Sequence, residues 1–136
     1  MARTDFDREL NSLMEELLSL GSMVQKSVLL SLDALKTRDL KLSKQVIADD
    51  DTIDSKAVEI EETCIDLMAT QQPLAGDLRT IVTLLLVSSE LERMGDYAEG
   101  IAKISSRIGE EALLKPLIDI PRIGDLASNM LRLSLE

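Results

Sequence analysis

Two pairs of acidic residues have the spacing expected of a cation site. Glu92 and Asp96 lie four residues apart in the stretch ELERMGDYAEGIAK, and Asp50 and Asp54 lie four apart in ADDDTID. On a helix, residues four apart share one face, where like charges repel each other. Carboxylate oxygens are ligands for hard or borderline ions such as Mg²⁺, Ca²⁺, Mn²⁺ and iron. The four acids are therefore candidate metal ligands, and a solvated acidic face is the alternative interpretation.

The other residue types restrict the chemistry. The chain has no histidine, which excludes a histidine general base, a His-ligated zinc ion and the Glu-x-x-His arrangement of ferritin-like di-iron bundles. Ser88 and Ser89 have no evident base that would activate a nucleophile. Cys64 continues an apolar stripe, so we expect it to pack in the core. No catalytic residue is predicted, and we do not expect an enzyme.

The overall charge restricts the partners. The chain has 136 residues and a formal net charge of −10. Phosphate backbones are bound by clustered lysine and arginine, so a nucleic-acid partner is disfavoured. Acidic membrane surfaces are disfavoured for the same reason. Cations and basic protein surfaces are the partners that this charge favours.

Cysteine content and hydropathy indicate the compartment. Cys64 is the single cysteine, so no internal disulfide forms, which suits a reducing compartment. The first residues, MARTDFDREL, lack the apolar core of a signal peptide. The longest apolar stretch, Ile81 to Val87, is far shorter than the roughly 20 residues of a membrane span. We expect a soluble cytoplasmic protein without direct membrane insertion.

Apolar residues recur at three- and four-residue steps along three long segments. This pattern predicts helices over about 5–35, from an Asp39 N-cap to about Thr70, and over about 77–108. The short connections at 37–39 and 71–76 make successive helices antiparallel neighbours. The predicted fold class is therefore all-α, an antiparallel up-down-up three-helix bundle with a spectrin-like arrangement.

The third predicted helix carries a coiled-coil-like seam and two internal glycines. Gly95 and Gly100 each cost up to about 1 kcal/mol relative to alanine. They would either allow close helix contact or leave room above the acids. The seam, with Ser105 in its remaining slot, consists of Leu84, Val87, Leu91, Met94, Ala98, Ile101 and Ile108.

The antiparallel connection predicts where the acidic pairs meet. The centre of Asp50 and Asp54 lies 22 residues before Leu74, and the centre of Glu92 and Asp96 lies 20 residues after it. The pairs should therefore lie at nearly one height on neighbouring helices. Their heptad positions bring Asp50, Asp54 and Glu92 to one edge of the seam, with Asp96 slightly farther round. We expect the site to flank the core and to be open to solvent.

The last segment is similar to part of the first helix. Leu20–Leu32 and Ile123–Leu135 align at an offset of 103 residues, which places Gly21 opposite Gly124. Several other aligned positions pair an apolar residue with an apolar residue. The alignment indicates a second copy of the bundle that has just begun. Chance similarity between amphipathic helices is the alternative.

This alignment predicts two domains. Residues 1–113 would form the three-helix bundle, and residues 114–136 would form the fourth helix of a second, truncated bundle. A partly built second bundle leaves an apolar stripe without a partner, and a homodimer or a swapped helix would cover it. The predicted stripe consists of Ile123, Leu126, Met130 and Leu133.

The stretch Leu67 to Ile104 resembles the central part of PhoU proteins, which regulate bacterial phosphate uptake. The loop QQPLAGDLR and the helix motif ELERMGDYA carry this resemblance, which extends back through DDDTIDSKAVEIEE. It implies two similar three-helix bundles whose E/D-x-x-x-D motifs hold multinuclear iron or zinc clusters. Those motifs fall on Asp50, Asp54, Glu92 and Asp96. Full members have six helices, whereas this sequence ends within the fourth.

The resemblance also implies a function. PhoU-like proteins are cytoplasmic negative regulators that couple the phosphate ABC transporter, through its ATPase subunit, to a membrane sensor histidine kinase. We therefore expect an adaptor without turnover of its own that binds iron, zinc or another divalent ion. The alternatives are a helical bundle that serves only oligomerisation and a PhoU-like domain that regulates a sodium–phosphate cotransporter. A metal-dependent hydrolase is a more remote alternative.

Overall fold

Four α-helices make up the described part of the chain, residues 3–136 of a computed structural model. They are α1 (Arg3–Thr37), α2 (Leu40–Gln71), α3 (Ala75–Ile108) and α4 (Asp119–Ser134). The bounds of the first three helices lie within two residues of the predicted bounds. The all-α prediction is confirmed.

Local chemistry explains where the helices begin and end. Asp39 caps α2, because its carboxylate accepts a 3.0 Å hydrogen bond from the Leu42 amide. Gln72 follows α2 with a φ of 44°, and Pro73 then disfavours further helix. Gly109 ends α3 with a φ of 58°, a left-handed conformation that glycine adopts without steric cost.

Contacts at both ends of the bundle establish its topology. Arg3 at the start of α1 pairs with Asp77 at the start of α3. At the other end, the Arg38 guanidinium donates hydrogen bonds of 3.2 Å and 3.0 Å to the carbonyl oxygens of Glu110 and Glu111. The helices α1 and α3 therefore run parallel, and α2 returns between them. The predicted up-down-up bundle is confirmed.

The apolar core lies between α1, α2 and α3. Leu20, Ile60 and Ile81 are fully buried there, and the side chain of Cys64 is buried among them, as predicted. Burial of such residues is the main favourable contribution to folding. Within residues 3–136, no helix combines the length and the apolar character needed to cross a membrane.

The buried seam of α3 differs from the prediction. Val87, Met94 and Ile101 are only half-buried and line cavities beside α4. The prediction followed the large apolar residues, whereas the seam alternates large residues with small ones that let α3 approach its neighbours closely. The buried residues are Ile81, Leu84, Ser88, Leu91, Gly95, Ala98, Ala102 and Ser105.

Helix α4 packs antiparallel on α1 through two reciprocal contacts. A Cβ atom on Gly21 would lie 2.2 Å from Leu135 Cδ1, and a Cβ atom on Gly124 would lie 1.9 Å from Leu32 Cδ1. A side chain at either glycine would therefore require the facing leucine side chain to shift. The offset of 103 residues relates the two contacts to each other. Gly21 corresponds to Gly124 and Leu32 corresponds to Leu135, so each contact joins a glycine of one helix to the equivalent leucine of the other.

The centre of the α1–α4 contact repeats the same relationship. Gln25 Nε2 donates a 3.0 Å hydrogen bond to Ser128 Oγ, and these two residues are also 103 positions apart. Equivalent positions of the two helices thus meet at the middle of the contact, as expected of an approximate twofold arrangement. The side of α4 that is buried carries Gly124, Ser128 and Leu131.

The predicted apolar stripe of α4 lies on its exposed side. Between 53% and 67% of the surface of each of its residues is accessible. The segment that follows α3 packs on α1 of its own chain. The stripe itself remains uncovered by the described part of this chain and consists of Ile123, Leu126, Met130 and Leu133.

Candidate metal centre

Contacts between α2 and α3 set the height at which the acids meet. The Ser88 hydroxyl donates a 3.5 Å hydrogen bond to the Ala57 carbonyl oxygen, and Gly95 lies against Asp50. The second contact lies seven residues earlier on α2 and seven later on α3, which is the register of an antiparallel pair. The structure therefore places the acidic pairs at one height, as predicted.

Gly95 creates the space that Asp50 occupies. A Cβ atom on Gly95 would lie 3.1 Å from Ile53 Cγ2 and 3.3 Å from Asp50 Oδ1. Both distances are shorter than ordinary carbon contacts. Gly95 thus allows close helix contact and leaves room for a carboxylate at the same point. No atom lies within 4 Å of a Cβ built on Gly100, so the structure gives no reason for that glycine.

Three carboxylates form the centre of the site. Oxygen atoms of Asp50, Asp96 and Glu99 all lie within 4.8 Å of one another. Asp50 belongs to α2, whereas Asp96 and Glu99 belong to α3. Asp50 is only 2% exposed, Glu99 is half-buried and Asp96 is exposed. The cluster therefore has a buried base and one side open to solvent.

Asp50 carries the largest electrostatic cost in the cluster. Burial is the main cause that raises its pKa from 3.8 to about 8, and a hydrogen bond with Glu99 and the charge of Asp54 add to the increase. A carboxyl group removed from water favours its neutral form. Asp50 therefore holds a proton at neutral pH when nothing else compensates its charge.

The protonated carboxyl group of Asp50 donates a hydrogen bond to the carboxylate of Glu99. The hydrogen bond with Asp50 is the main cause that lowers the pKa of Glu99, and the ammonium group of Lys103 lowers it further. Lys103 forms an ion pair with Glu99 on the following turn of α3. The two carboxyl groups thus share one proton, with the negative charge on Glu99.

The second acidic pair lies beside this cluster. Burial raises the pKa of Asp54, and the charges of Asp96 and Glu99 raise it further. Burial also raises the pKa of Glu92, followed by the charges of Asp54, Glu61 and Asp96. The acids of α2 and α3 therefore lie close enough to interact with one another, and the face that they share between the two helices is called the acidic groove below.

Two buried oxygens in this groove lack partners. With both carboxyl groups ionised, Oδ1 of Asp50 and Oδ1 of Asp54 are buried and accept no hydrogen bond from any residue of the described range, 3–136. A buried acceptor without a partner costs about 1–3 kcal/mol, and more when it is charged. Oxygen-only donors of this kind suit hard or borderline divalent cations. Such an ion would replace the proton of Asp50 and offset the repulsion among the acids.

The structure changes the predicted arrangement of the acids. Asp96 was expected farther round the bundle, but its carboxylate joins that of Asp50 directly. Asp50 was expected to flank the core in a solvent-open position, which is wrong because it is buried. Asp54 and Glu92 lie next to the cluster and interact with it electrostatically. The assignment of all four as metal ligands stays a prediction.

Glu99 is the residue that the sequence pattern did not select. It follows Asp96 by three positions, as Asp96 follows Glu92 by four, so all three share one face of α3. Acids at three-residue spacing share a helix face just as those at four-residue spacing do, and the predicted pairs were limited to four-residue spacing.

Ser88 and Cys64, which could in principle act as nucleophiles, are both buried in the helix packing. Ser88 is fully buried and its hydroxyl bonds to the backbone of α2. Cys64 is fully buried, and burial raises the pKa of its thiol. A raised pKa keeps the thiol in its less nucleophilic neutral form. Both residues therefore serve packing at their positions.

The chain is similar in sequence to proteins of one family. The sequence pattern of the family described as PhoU domain matches residues 17–105. A phosphate-specific transport system accessory protein PhoU homolog of Aquifex aeolicus is 38% identical over 123 residues, which cover 90% of this chain and 56% of that protein. The protein of the same description in Clostridium acetobutylicum is 37% identical over 137 residues, which cover 100% of this chain and 63% of that protein.

Two solved structures have the same arrangement of helices. The crystal structure of PhoU from Pseudomonas aeruginosa superposes with a TM-score of 0.89 at 32% identity, covering 93% of this chain and 61% of that one. The phosphate transport system regulatory protein PhoU from Streptococcus pneumoniae gives a TM-score of 0.87 at 34% identity, covering 96% of this chain and 61% of that one. The chain spans less than two thirds of the length of each of these proteins.

Proposed function

Because the chain belongs to the PhoU domain family, we propose that it acts as a regulatory adaptor in bacterial phosphate uptake and signalling. Its relatives in Aquifex aeolicus and Clostridium acetobutylicum are described as accessory proteins of a phosphate-specific transport system. The similarity covers nearly the whole of this chain and supports the same role. An adaptor acts by binding, so the proposal includes no reaction of its own.

The proposed partners are a component of the phosphate transporter and a component of the signalling pathway. The adaptor would contact the ATPase subunit of the phosphate ABC transporter and a sensor histidine kinase, and it would act as a negative regulator of phosphate signalling. The net charge of −10 favours basic partner surfaces. The acidic groove between α2 and α3 is the surface that we assign to this contact.

The proposed cofactor is a divalent metal ion in the acidic groove. One observation carries this part of the proposal: the buried carboxylate of Asp50 lies with those of Asp96 and Glu99 within 4.8 Å. Asp54 and Glu92 would complete the coordination or bind a second ion. Iron, zinc or another divalent ion would fit, and carboxylates that bridge two ions would allow a multinuclear centre. Bound metal would link the groove to a partner side chain or to phosphate.

We also propose that α4 begins a second PhoU repeat and that residues 1–113 form the first. The reciprocal contacts of Gly21 and Gly124 at an offset of 103 residues support this division. A chain limited to residues 1–113 should then unfold cooperatively with the helix content of α1 to α3. Failure of that shorter chain to fold would contradict the division.

A matched pair of variants tests the adaptor proposal. The first variant combines Asp50→Asn, Asp96→Asn and Glu99→Gln in the cluster. The control combines Asp66→Asn, Asp125→Asn and Glu62→Gln at exposed positions outside the groove, and it replaces the same number of acidic residues of the same types. Binding to the purified ATPase subunit and kinase would be measured with metal-loaded protein.

The proposal expects the cluster variant to lose metal and partner binding while the control keeps both. Equal binding by the two variants would show that only the overall charge matters. Unchanged binding and unchanged metal content in the cluster variant would contradict the proposal. A bundle that serves only oligomerisation would bind neither partner.

A further inference from the structure

A lysine side chain lies beside the carboxyl groups of the acidic groove. Lys103 follows Glu99 by one turn of α3, and its ammonium group forms an ion pair with Glu99 Oε1. The ammonium group also interacts with the charge of Asp50, which adds to the increase in the pKa of Lys103. The neighbouring charges that shift the pKa values of Asp50, Asp54 and Glu92 are all negative. Lys103 therefore brings a positive charge to a cluster of acids.

Other basic side chains of α2 and α3 have partners elsewhere. Lys56 forms an ion pair with Glu16, on the side of α2 that packs against α1. The guanidinium group of Arg93 lies 5.9 Å from the centre of the Tyr97 ring and donates a 3.4 Å hydrogen bond to the tyrosine hydroxyl. Among the described residues, 3–136, the one ion pair to an acid of the groove is that of Lys103.

We propose that Lys103 is the counter-ion of the metal-free groove and that a bound divalent ion displaces it from Glu99. This inference rests on the proposed metal centre and describes how that site is regulated. Glu99 belongs to the cluster of carboxylates that lie within 4.8 Å of one another. The ammonium group and a divalent ion in the groove would therefore share one carboxylate, and two cations at such close range repel each other strongly.

The ion pair of Lys103 with Glu99 is easily broken. The side chain of Lys103 is 54% exposed and that of Glu99 is 20% exposed. An exposed ion pair between residues four apart on a helix contributes little to stability, because water screens the charges and both side chains lose freedom. The repulsion from a divalent ion outweighs this small contribution. A lysine side chain can then turn its ammonium group into solvent while its methylene groups stay on the helix.

The displacement has two consequences. Lys103 lowers the affinity of the groove for metal, because an ion that binds must first break the ion pair with Glu99. Metal binding also changes the surface beside the groove. The ammonium group neutralises Glu99 in the metal-free chain and is released to solvent in the metal-loaded chain, at the edge of the surface that we assign to partner contact.

Three substitutions test the displacement. Lys103→Met removes the charge but keeps an unbranched side chain that favours helix, and Lys103→Arg keeps the charge. Lys56→Met is the control, because it removes the same charge from another lysine–glutamate ion pair, on the α1 side of α2. Isothermal titration of chelator-treated protein with Mn²⁺ measures the affinities. Circular dichroism checks that the helix content is unchanged.

Lys103→Met should raise the affinity for Mn²⁺ about threefold to tenfold, because a competing cation is removed. Lys103→Arg and Lys56→Met should stay close to the wild type. An unchanged affinity in Lys103→Met, or an equal gain in Lys56→Met, would overturn the displacement and leave the metal centre standing. A wild-type chain that binds no Mn²⁺ would overturn the metal centre and this inference with it.

A double-mutant comparison shows whether Lys103 acts through Glu99. In a Glu99→Gln background no carboxylate holds the ammonium group at this position. Adding Lys103→Met should then change the affinity for Mn²⁺ much less than it does in the wild-type background. The same gain in both backgrounds would contradict displacement from Glu99.

Thermal unfolding provides a second measurement with opposite signs. Lys103→Met should lower the Tm of the metal-free protein, because the charge of Glu99 loses its partner. The rise in Tm on addition of Mn²⁺ should be larger than in the wild type, because tighter binding stabilises the folded chain more. An ion pair with only a structural role would not enlarge this rise, so a rise equal to or smaller than that of the wild type would contradict the proposal.

Discussion

Gly95 on α3 lies directly against the carboxylate of Asp50 on α2. A Cβ atom at that glycine would lie 3.3 Å from Asp50 Oδ1, so the absence of a side chain allows the acid to reach a buried position. The same glycine lets α3 approach α2 closely enough for acids from both helices to meet. The packing of the bundle and the electrostatics of the candidate metal centre therefore depend on one residue.

Two glycine-to-alanine substitutions in α3 should have opposite effects on stability. Gly100→Ala should raise the free energy of unfolding by up to about 1 kcal/mol, because alanine is the better helix former and no atom lies within 4 Å of the added carbon. Gly95→Ala should lower it by about 1–3 kcal/mol, because the buried Ile53 and Asp50 must shift. Urea unfolding of the metal-free variants measures both values. Equal stabilisation by both substitutions would contradict the importance of the Gly95 contact.

The stability of the metal-free protein should fall as the pH rises from about 5 to about 8. Asp50 has an ordinary pKa of 3.8 and a folded-state pKa of about 8, so between these values the folded chain binds a proton that the unfolded chain has lost. Stability declines with pH wherever the folded state binds more protons. The lowered pKa of Glu99 does not offset this decline, because its stabilising effect is already complete above the ordinary glutamate value.

Asp50→Asn provides the control for this pH dependence. The amide cannot ionise, so thermal unfolding of the variant should depend much less on pH over the same interval. At about pH 8 the metal-free variant should be more stable than the wild type by about 1–3 kcal/mol, since an uncompensated buried charge has been removed. A wild-type curve as flat as that of the variant would contradict the burial of this titrating group.

Single substitutions should separate Glu99 from Glu92 as metal ligands. Glu99→Gln should weaken metal binding at least about tenfold, which is the lower range for residues that support a metal site, because Glu99 lies in the carboxylate cluster. Glu92→Gln should cause a smaller loss, because Glu92 acts on the cluster from beside it. Isothermal titration with Mn²⁺ measures the affinities, and Glu62→Gln serves as an exposed control. The opposite order would favour the pairs of acids selected from the sequence.

The α1–α4 contact should be sensitive to the smallest possible side chain. In Gly124→Ala the added carbon would lie 1.9 Å from Leu32 Cδ1 and 3.2 Å from Leu32 Cγ, so the whole leucine side chain must move. We expect amide exchange in α4 to accelerate, corresponding to a loss of about 1–3 kcal/mol, while α1 to α3 keep their protection. Gly76→Ala, which meets no atom within 4 Å, is the matched control. Unchanged exchange in α4 would contradict the observed close approach.

The regular periodicity of large apolar residues was sufficient to predict the three long helices and their order. It was not sufficient to identify the buried face of α3, because Ser88, Gly95 and Ala102 pack there by virtue of being small. The same limit applies to α4. Its large apolar residues predicted a docking face, but the helix packs on α1 through Gly124 and Ser128. Close approach between helices depends on small residues that a hydropathy pattern does not emphasise.

The acidic site was predicted in location but not in detail. Spacing and register placed Asp50 and Asp96 on neighbouring helices at one height. The burial of Asp50 could have been predicted from the sequence. Asp50, Ala57 and Cys64 follow one another at intervals of seven residues, and all three are buried. The grouping with Glu99 depends on side-chain reach and on the space above Gly95, which heptad positions do not specify.

Metal titration of the whole chain tests the central claim most directly. The metal-free wild type and the variant that combines Asp50→Asn, Asp96→Asn and Glu99→Gln would each be titrated with Mn²⁺, Fe²⁺ and Zn²⁺, and bound ions per chain would be counted. We predict at least one ion per wild-type chain, with affinity that rises up to about pH 8 as Asp50 loses its proton, and no comparable binding by the variant. Equal binding by both proteins, or none by the wild type, would contradict a metal centre in the groove between α2 and α3.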